Sequence, residues 1–141
     1  YLNDEELLEV CKIVKETAEK HCPFDIKLNK IIYGPPKQSP RMIWAEGERS
    51  KELGNLQKDL ESSLQGVSKE SSKEEERGFS PHITLARLRQ WEFKQIEPEE
   101  RPEINENINL NFEVKSIEVM ESRLKRGGPE YIILELCPFK M

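Results

Sequence analysis

The densest chemical signal in the sequence is Ser80-Pro81-His82-Ile83-Thr84-Leu85-Ala86-Arg87. If this stretch is a strand, successive side chains alternate faces, and His82 and Thr84 share one side with their Cβ atoms about 7 Å apart. Ile83 and Leu85 are then expected to face the core. An imidazole gives or takes a proton near neutral pH, and a neighbouring hydroxyl can hold a phosphoryl oxygen meanwhile. Arg87, near the strand end, offers a forked cation for the same oxygens. His-x-Thr is short, and an ordinary half-exposed strand produces the same pattern, so its surroundings decide its meaning.

Those surroundings read as an α+β chain. Asn3 and Glu6 are spaced as a capping box, and Leu7, Val10, Cys11, Val14 and Ala18 fall on one helical face that should end near His21, before Pro23. Phe24, Ile26 and Leu28 alternate with polar residues as in a half-buried strand, which Gly34-Pro35-Pro36 breaks. Met42 to Ala45 is a short strand. A second helix follows, with Ser50 at its start and Leu53, Leu56, Leu60, Leu64 and Val67 at helical spacing. Ser68 to Arg77 contains no apolar residue and reads as an exposed loop, and Phe79 to Arg89 as the third strand. A Pro- and Glu-rich loop from Glu97 to Pro102 leads to a long strand with Ile108, Leu110, Phe112 and Val114 on one face. Its apolar phase slips to Ile117 and Val119, as at a bulge. Gly127-Gly128 marks a turn, and Tyr131 to Leu136 returns as a hairpin partner. The sum is two helices and about five strands in antiparallel sheet.

Composition narrows the function. Twenty-two Lys and Arg against 27 Asp and Glu give a net charge of -5, which opposes holding long nucleic acid by general electrostatics. A small phosphorylated end can still meet a local cluster of cations. Cys11, Cys22 and Cys137 form no CxxC pair, and with two histidines the chain is a poor zinc binder. On one helix, Cys11 and Cys22 would lie roughly 16 Å apart, beyond disulfide reach. Unpaired thiols fit a reducing compartment. No apolar run approaches the ~20 residues needed to span a bilayer. A cytoplasmic protein without a zinc site is therefore expected; the further expectation, which composition does not supply, is a monomer without metal or cofactor. Length allows one compact domain or two small lobes.

Pro81-His82-Ile83-Thr84-Leu85-Ala86-Arg87 resembles the second signature of the two-histidine (2H) phosphoesterase superfamily, in its LigT-like branch of RNA 2',3'-cyclic phosphodiesterases, also called 2'-5' RNA ligases. Other blocks agree in order: His21-Cys22-Pro23-Phe24 with the helix-to-strand junction, and Pro40-Arg41-Met42-Ile43-Trp44-Ala45 with a Pro-Arg-apolar-apolar-Trp-Ala strand. Ser122-Arg123-Leu124 and Gly128-Pro129-Glu130-Tyr131 resemble the closing hairpin. The resemblance implies a bilobal fold, with antiparallel sheets flanking a central cleft and helices outside. It also implies metal-independent hydrolysis of a 2',3'-cyclic phosphate end of RNA to a 2'-phosphate, with 2'-5' joining as the reverse. One histidine deprotonates water while the other protonates the leaving 3' oxygen.

On this resemblance His82 takes one acid/base role, Thr84 binds phosphate, and Arg87 contacts phosphate or nucleobase. Arg41, Phe79 and Tyr131 are candidates for the cleft wall, although Arg41 suits a plain surface cation and the two aromatics suit a core. The expected partners are RNA ends or cyclic nucleotides. Family members carry two His-x-Thr or His-x-Ser signatures, and the 141 residues hold one. His21 precedes Cys22-Pro23 at a helix end, where a structural role is expected. The resemblance thus implies a single LigT-like domain over residues 1–141 whose N-terminal part, with the first signature, lies ahead of Tyr1. The alternative is a naturally short, catalytically impaired protein that binds nucleotides or RNA ends.

Overall fold

The computed structural model describes residues 1–67 and 80–141. Helix α1 (Asp4–Ala18) is followed by β1 (Phe24–Gly34), β2 (Met42–Gly47), α2 (Lys51–Leu64), β3 (His82–Arg87) and a one-turn helix α3 (Gln90–Phe93). A 3-10 turn at Pro98–Glu100 precedes β4 (Asn105–Val114), β5 (Ser116–Lys125) and β6 (Gly128–Pro138). The chain forms two compact units. One comprises Tyr1–Phe24, Lys51–Arg77 and Glu113–Met141, the other Asp25–Ser50 and Gly78–Phe112.

In the first unit, α1 starts where its capping box predicts. Asn3 Oδ1 accepts from the Glu6 N–H at 2.8 Å, and the Asn3 N–H donates to Glu6 Oε2 at 3.0 Å. Such a cap is worth ~1 kcal/mol, and Asp4, Glu5 and Glu6 add favourable charge in the first turn. Val14, Thr17 and Ala18 are buried, and the Thr17 hydroxyl donates to the Ile13 carbonyl at 2.8 Å. Helix α1 packs against α2, β5 and β6. Phe24 and Phe139 stack with centroids 5.8 Å apart, and with Leu56 and Cys137 they extend this core. Strands β5 and β6 pair antiparallel from Ser116↔Pro138 to Lys125↔Gly128. One face of this hairpin carries the buried Cys137. The other displays Met120, Leu124, Tyr131, Ile133 and Leu136, all exposed.

The second unit is a four-stranded sheet in the order β3-β2-β1-β4, with β1/β2 and β2/β3 antiparallel. Ile26, Leu28, Ala45 and Phe93 are buried. Tyr33 rests on Phe93 at 5.7 Å and donates to the Pro102 carbonyl at 2.6 Å, while the Arg101 guanidinium lies 4.4 Å from the Phe93 ring centre. These contacts fasten the segment between β3 and β4 to the sheet.

The α+β class and the antiparallel pairings agree with the sequence reading, and several local expectations need correction. The long strand expected after Pro102 is two strands: β4 lies beside β1, whereas β5 belongs to the hairpin sheet. The slip in apolar phase marks a change of sheet, with Lys115 at the break. Leu110 and Phe112 on β4 are exposed. Helix α2 ends at Leu64, and Val67 follows in a turn, its N–H bonded to the Leu64 carbonyl at 3.0 Å. Ile83 and Leu85, expected in the core, are 44% and 53% exposed, because β3 is the outer strand of its sheet. The polar Ser68 to Arg77 stretch lies outside the described residues.

Candidate active site

The candidate side chains of His82, Thr84 and Arg87 gather on one face of the four-stranded sheet, and register shows how. Across the β1-β2-β3 ladder, Lys30, Glu46 and His82 form one row; Ile32, Trp44 and Thr84 the next; Gly34, Met42 and Arg87 the third. Residues directly opposite in an antiparallel ladder project to the same side. Met42, Trp44 and Glu46 alternate on β2, so all three rows stand on one face.

Simple alternation along β3 would put Arg87 with Ile83 and Leu85, away from His82 and Thr84. A β-bulge prevents this. Thr84 pairs with Trp44 and Ala86 with Ile43, leaving Leu85 as the extra residue and turning Arg87 back to the His82 side. Imidazole, hydroxyl and guanidinium therefore share one exposed surface.

Around these groups the contacts are few. The Thr84 hydroxyl lies 3.9 Å from the Met42 sulfur, a weak interaction that leaves the hydroxyl available. The Trp44 indole stacks on the His82 ring with centroids 3.9 Å and planes 17° apart. Among the described residues, no carboxylate forms an ion pair with Arg87. Glu46, opposite His82 in register, and Trp44 were not identified as site residues from sequence. Alternation of Met42, Trp44 and Glu46 is legible there, but their pairing with the His82 strand is a tertiary fact.

The remaining candidates separate. Arg41 is an exposed cation just before β2; its backbone bridges the ladder, with its N–H on the Gly34 carbonyl and its carbonyl taking the Leu88 N–H, each at 2.9 Å. Tyr131 is 59% exposed on β6, so it is no core aromatic, and it lies in the first unit. Phe79 lies outside the described residues. His21 is held in the first unit, its Nε2 2.6 Å from Asp59 Oδ2 and its carbonyl accepting from the Lys140 N–H at 2.9 Å. Arg123, in the closing-hairpin block, is tied to Glu121, with Nε 3.0 Å from Oε1; this hydrogen bond and the attraction of the carboxylate raise the guanidinium pKa.

An α+β chain that sets an imidazole, a hydroxyl and a guanidinium without an ion-pair partner among the described residues on one sheet face has the groups with which phosphoester-handling proteins hold and protonate their substrates. The chain belongs to the 2'-5' RNA ligase superfamily, whose sequence pattern matches residues 1–126. It is 28% identical over 137 residues to the RNA 2',3'-cyclic phosphodiesterase of Aquifex aeolicus, covering 95% of this chain and 70% of that one. The enzyme of the same name from Thermus thermophilus is 28% identical over 135 residues, covering 94% of this chain and 64% of that protein. Among solved structures, the Thermus thermophilus protein TT0787 superposes with a TM-score of 0.78 at 25% identity, covering 99% of this chain and 73% of that one. E. coli LigT, solved with 3'-AMP, shares the fold with a TM-score of 0.68 at 20% identity, over 99% of this chain and 72% of that one. No helix among the described residues is long and apolar enough to cross a membrane.

Proposed function

We propose that this chain carries one catalytic half of an RNA 2',3'-cyclic phosphodiesterase. The observation that carries the reading is the register of β3, which brings His82, Thr84 and Arg87 onto one exposed face; the names of the relatives supply the substrate class. In the reaction, water attacks the cyclic phosphorus and the bond to the 3' oxygen breaks, leaving a 2'-phosphate. His82 transfers one of the two protons involved: the one water loses or the one the 3' oxygen gains. Thr84 and Arg87 hold the non-bridging oxygens as negative charge builds on them. With an RNA 5'-hydroxyl in place of water as the attacking group, the same displacement, with the bond to the 3' oxygen again the one that breaks, joins ends through a 2'-5' linkage.

The test is incubation of the full-length protein with a 2',3'-cyclic nucleotide without added metal, with the product identified. A 2'-phosphate is expected. A 3'-phosphate, or no product at all, overturns the reading. Binding of the cyclic nucleotide without product would instead support a catalytically impaired binder.

A further inference from the structure

His82 is an exposed residue on an outer strand, and among the described residues no hydrogen bond orients its ring. The χ2 torsion of a histidine is intrinsically broad, and proton-transferring histidines are usually aimed by a hydrogen bond to their second nitrogen. Here an aromatic contact stands in that place. Trp44 stacks on the imidazole at 3.9 Å, nearer than the ~4.5–7 Å usual for aromatic pairs.

The indole is itself seated on glycine. A Cβ at Gly34 would lie 2.3 Å from Trp44 Cδ2 and 2.5 Å from Cε2, so the ring fills the space any side chain there would need. Trp44 Nε1 is buried without a hydrogen-bond partner among the described residues. Leaving such a donor unpaired costs ~1–3 kcal/mol, so packing on Gly34 and His82, not the polar atom, keeps the ring in place.

We propose that Trp44, seated on Gly34, is the positioning residue for His82. The lone pair and the N–H bond of an imidazole both lie in the ring plane, so fixing that plane fixes the direction in which the proton moves. The proposal rests on the phosphodiesterase reading for the step it serves, but its geometric content is testable separately.

The test is NMR of the histidine ring protons in the full-length protein, combined with kinetics on a 2',3'-cyclic nucleotide. In Trp44→Leu, the His82 ring signals should move downfield as the indole ring current is lost, and kcat should fall by about 10–100-fold with KM within about twofold. Trp44→Phe keeps an aromatic face and should recover most of kcat. Should Trp44→Leu fail to fold, Gly34→Ala takes its place, since it displaces the indole and must move the same signals. Unmoved His82 signals, or an unchanged kcat, overturn the proposal. A wild type without turnover rejects the phosphodiesterase reading; there, Overhauser contacts of the His82 ring that average out in Trp44→Leu uphold the positioning, and unchanged contacts overturn it.

Discussion

Arg87 is the cross-strand partner of Met42, three residues after Thr84 takes Trp44, and this odd step sets the guanidinium beside the hydroxyl. The extra residue is Leu85. Inserting one alanine between Ala86 and Arg87 should turn the guanidinium to the opposite face and weaken binding of a 2',3'-cyclic nucleotide by about 10–100-fold, as Arg87→Ala does, because a charge-assisted hydrogen bond contributes ~1.5–3 kcal/mol. Deleting Leu85 removes the bulge yet leaves Arg87 opposite Met42, so binding should persist. Titration calorimetry on the three variants checks this; equal loss in all three would refute the role of register.

Gly34 and Trp44 should behave as one unit. Gly34→Ala places a Cβ inside the indole and should lower kcat about tenfold or more, whereas in a Trp44→Leu background the same change should cost little further. Additive effects in this double-mutant cycle would show that Gly34 acts by another route.

The pair of His21 and Asp59 is structural on this account. Asp59 is 53% exposed, so His21→Ala or Asp59→Asn should lower stability by only ~1 kcal/mol. Urea midpoints should shift while cyclic-nucleotide turnover stays within twofold. A collapse of turnover in a folded His21→Ala protein would mean that His21 takes part in the chemistry.

Cys137 is buried, and burial, with smaller contributions from Glu135 and Cys11 against Lys15, pushes its thiol above the usual range. The folded state therefore holds this proton more tightly than the unfolded chain. Its contribution is fully present below the unfolded-state thiol pKa and is lost as pH rises through the folded value. Alkaline unfolding should be shifted to higher pH in Cys137→Ala if that variant folds, and in the native protein at pH 8 the exposed Cys22 should react with a thiol reagent well before Cys137. Equal rates for the two would contradict the burial.

Local patterns made much of this molecule legible. The Asn3/Glu6 cap, the alternation from Phe24 to Leu28 and the Gly127-Gly128 turn each follow from nearest neighbours, and the structure places helix, strand and hairpin there. The helical run of leucines is legible too, although Val67 lies beyond its end. What sequence hides is pairing. Nothing local tells that β4 and β5 join different sheets, that β3 is an outer strand with Ile83 and Leu85 exposed, or that Leu85 is a bulge. For the same reason His82 and Thr84 stand out by their spacing of two, while Trp44, Gly34 and Glu46 acquire a place in the site only once β2 lies between β1 and β3.

His82 is proposed to move a proton in the hydrolysis of a 2',3'-cyclic phosphate. A general acid or base contributes ~10²–10⁴ in rate. The most direct measurement is kcat for a 2',3'-cyclic nucleotide in full-length wild type and His82→Ala, with the amide spectrum of each confirming the fold. A loss of about 10²–10⁴ is expected in a folded variant; unaltered turnover in His82→Ala would rule out the acid/base role.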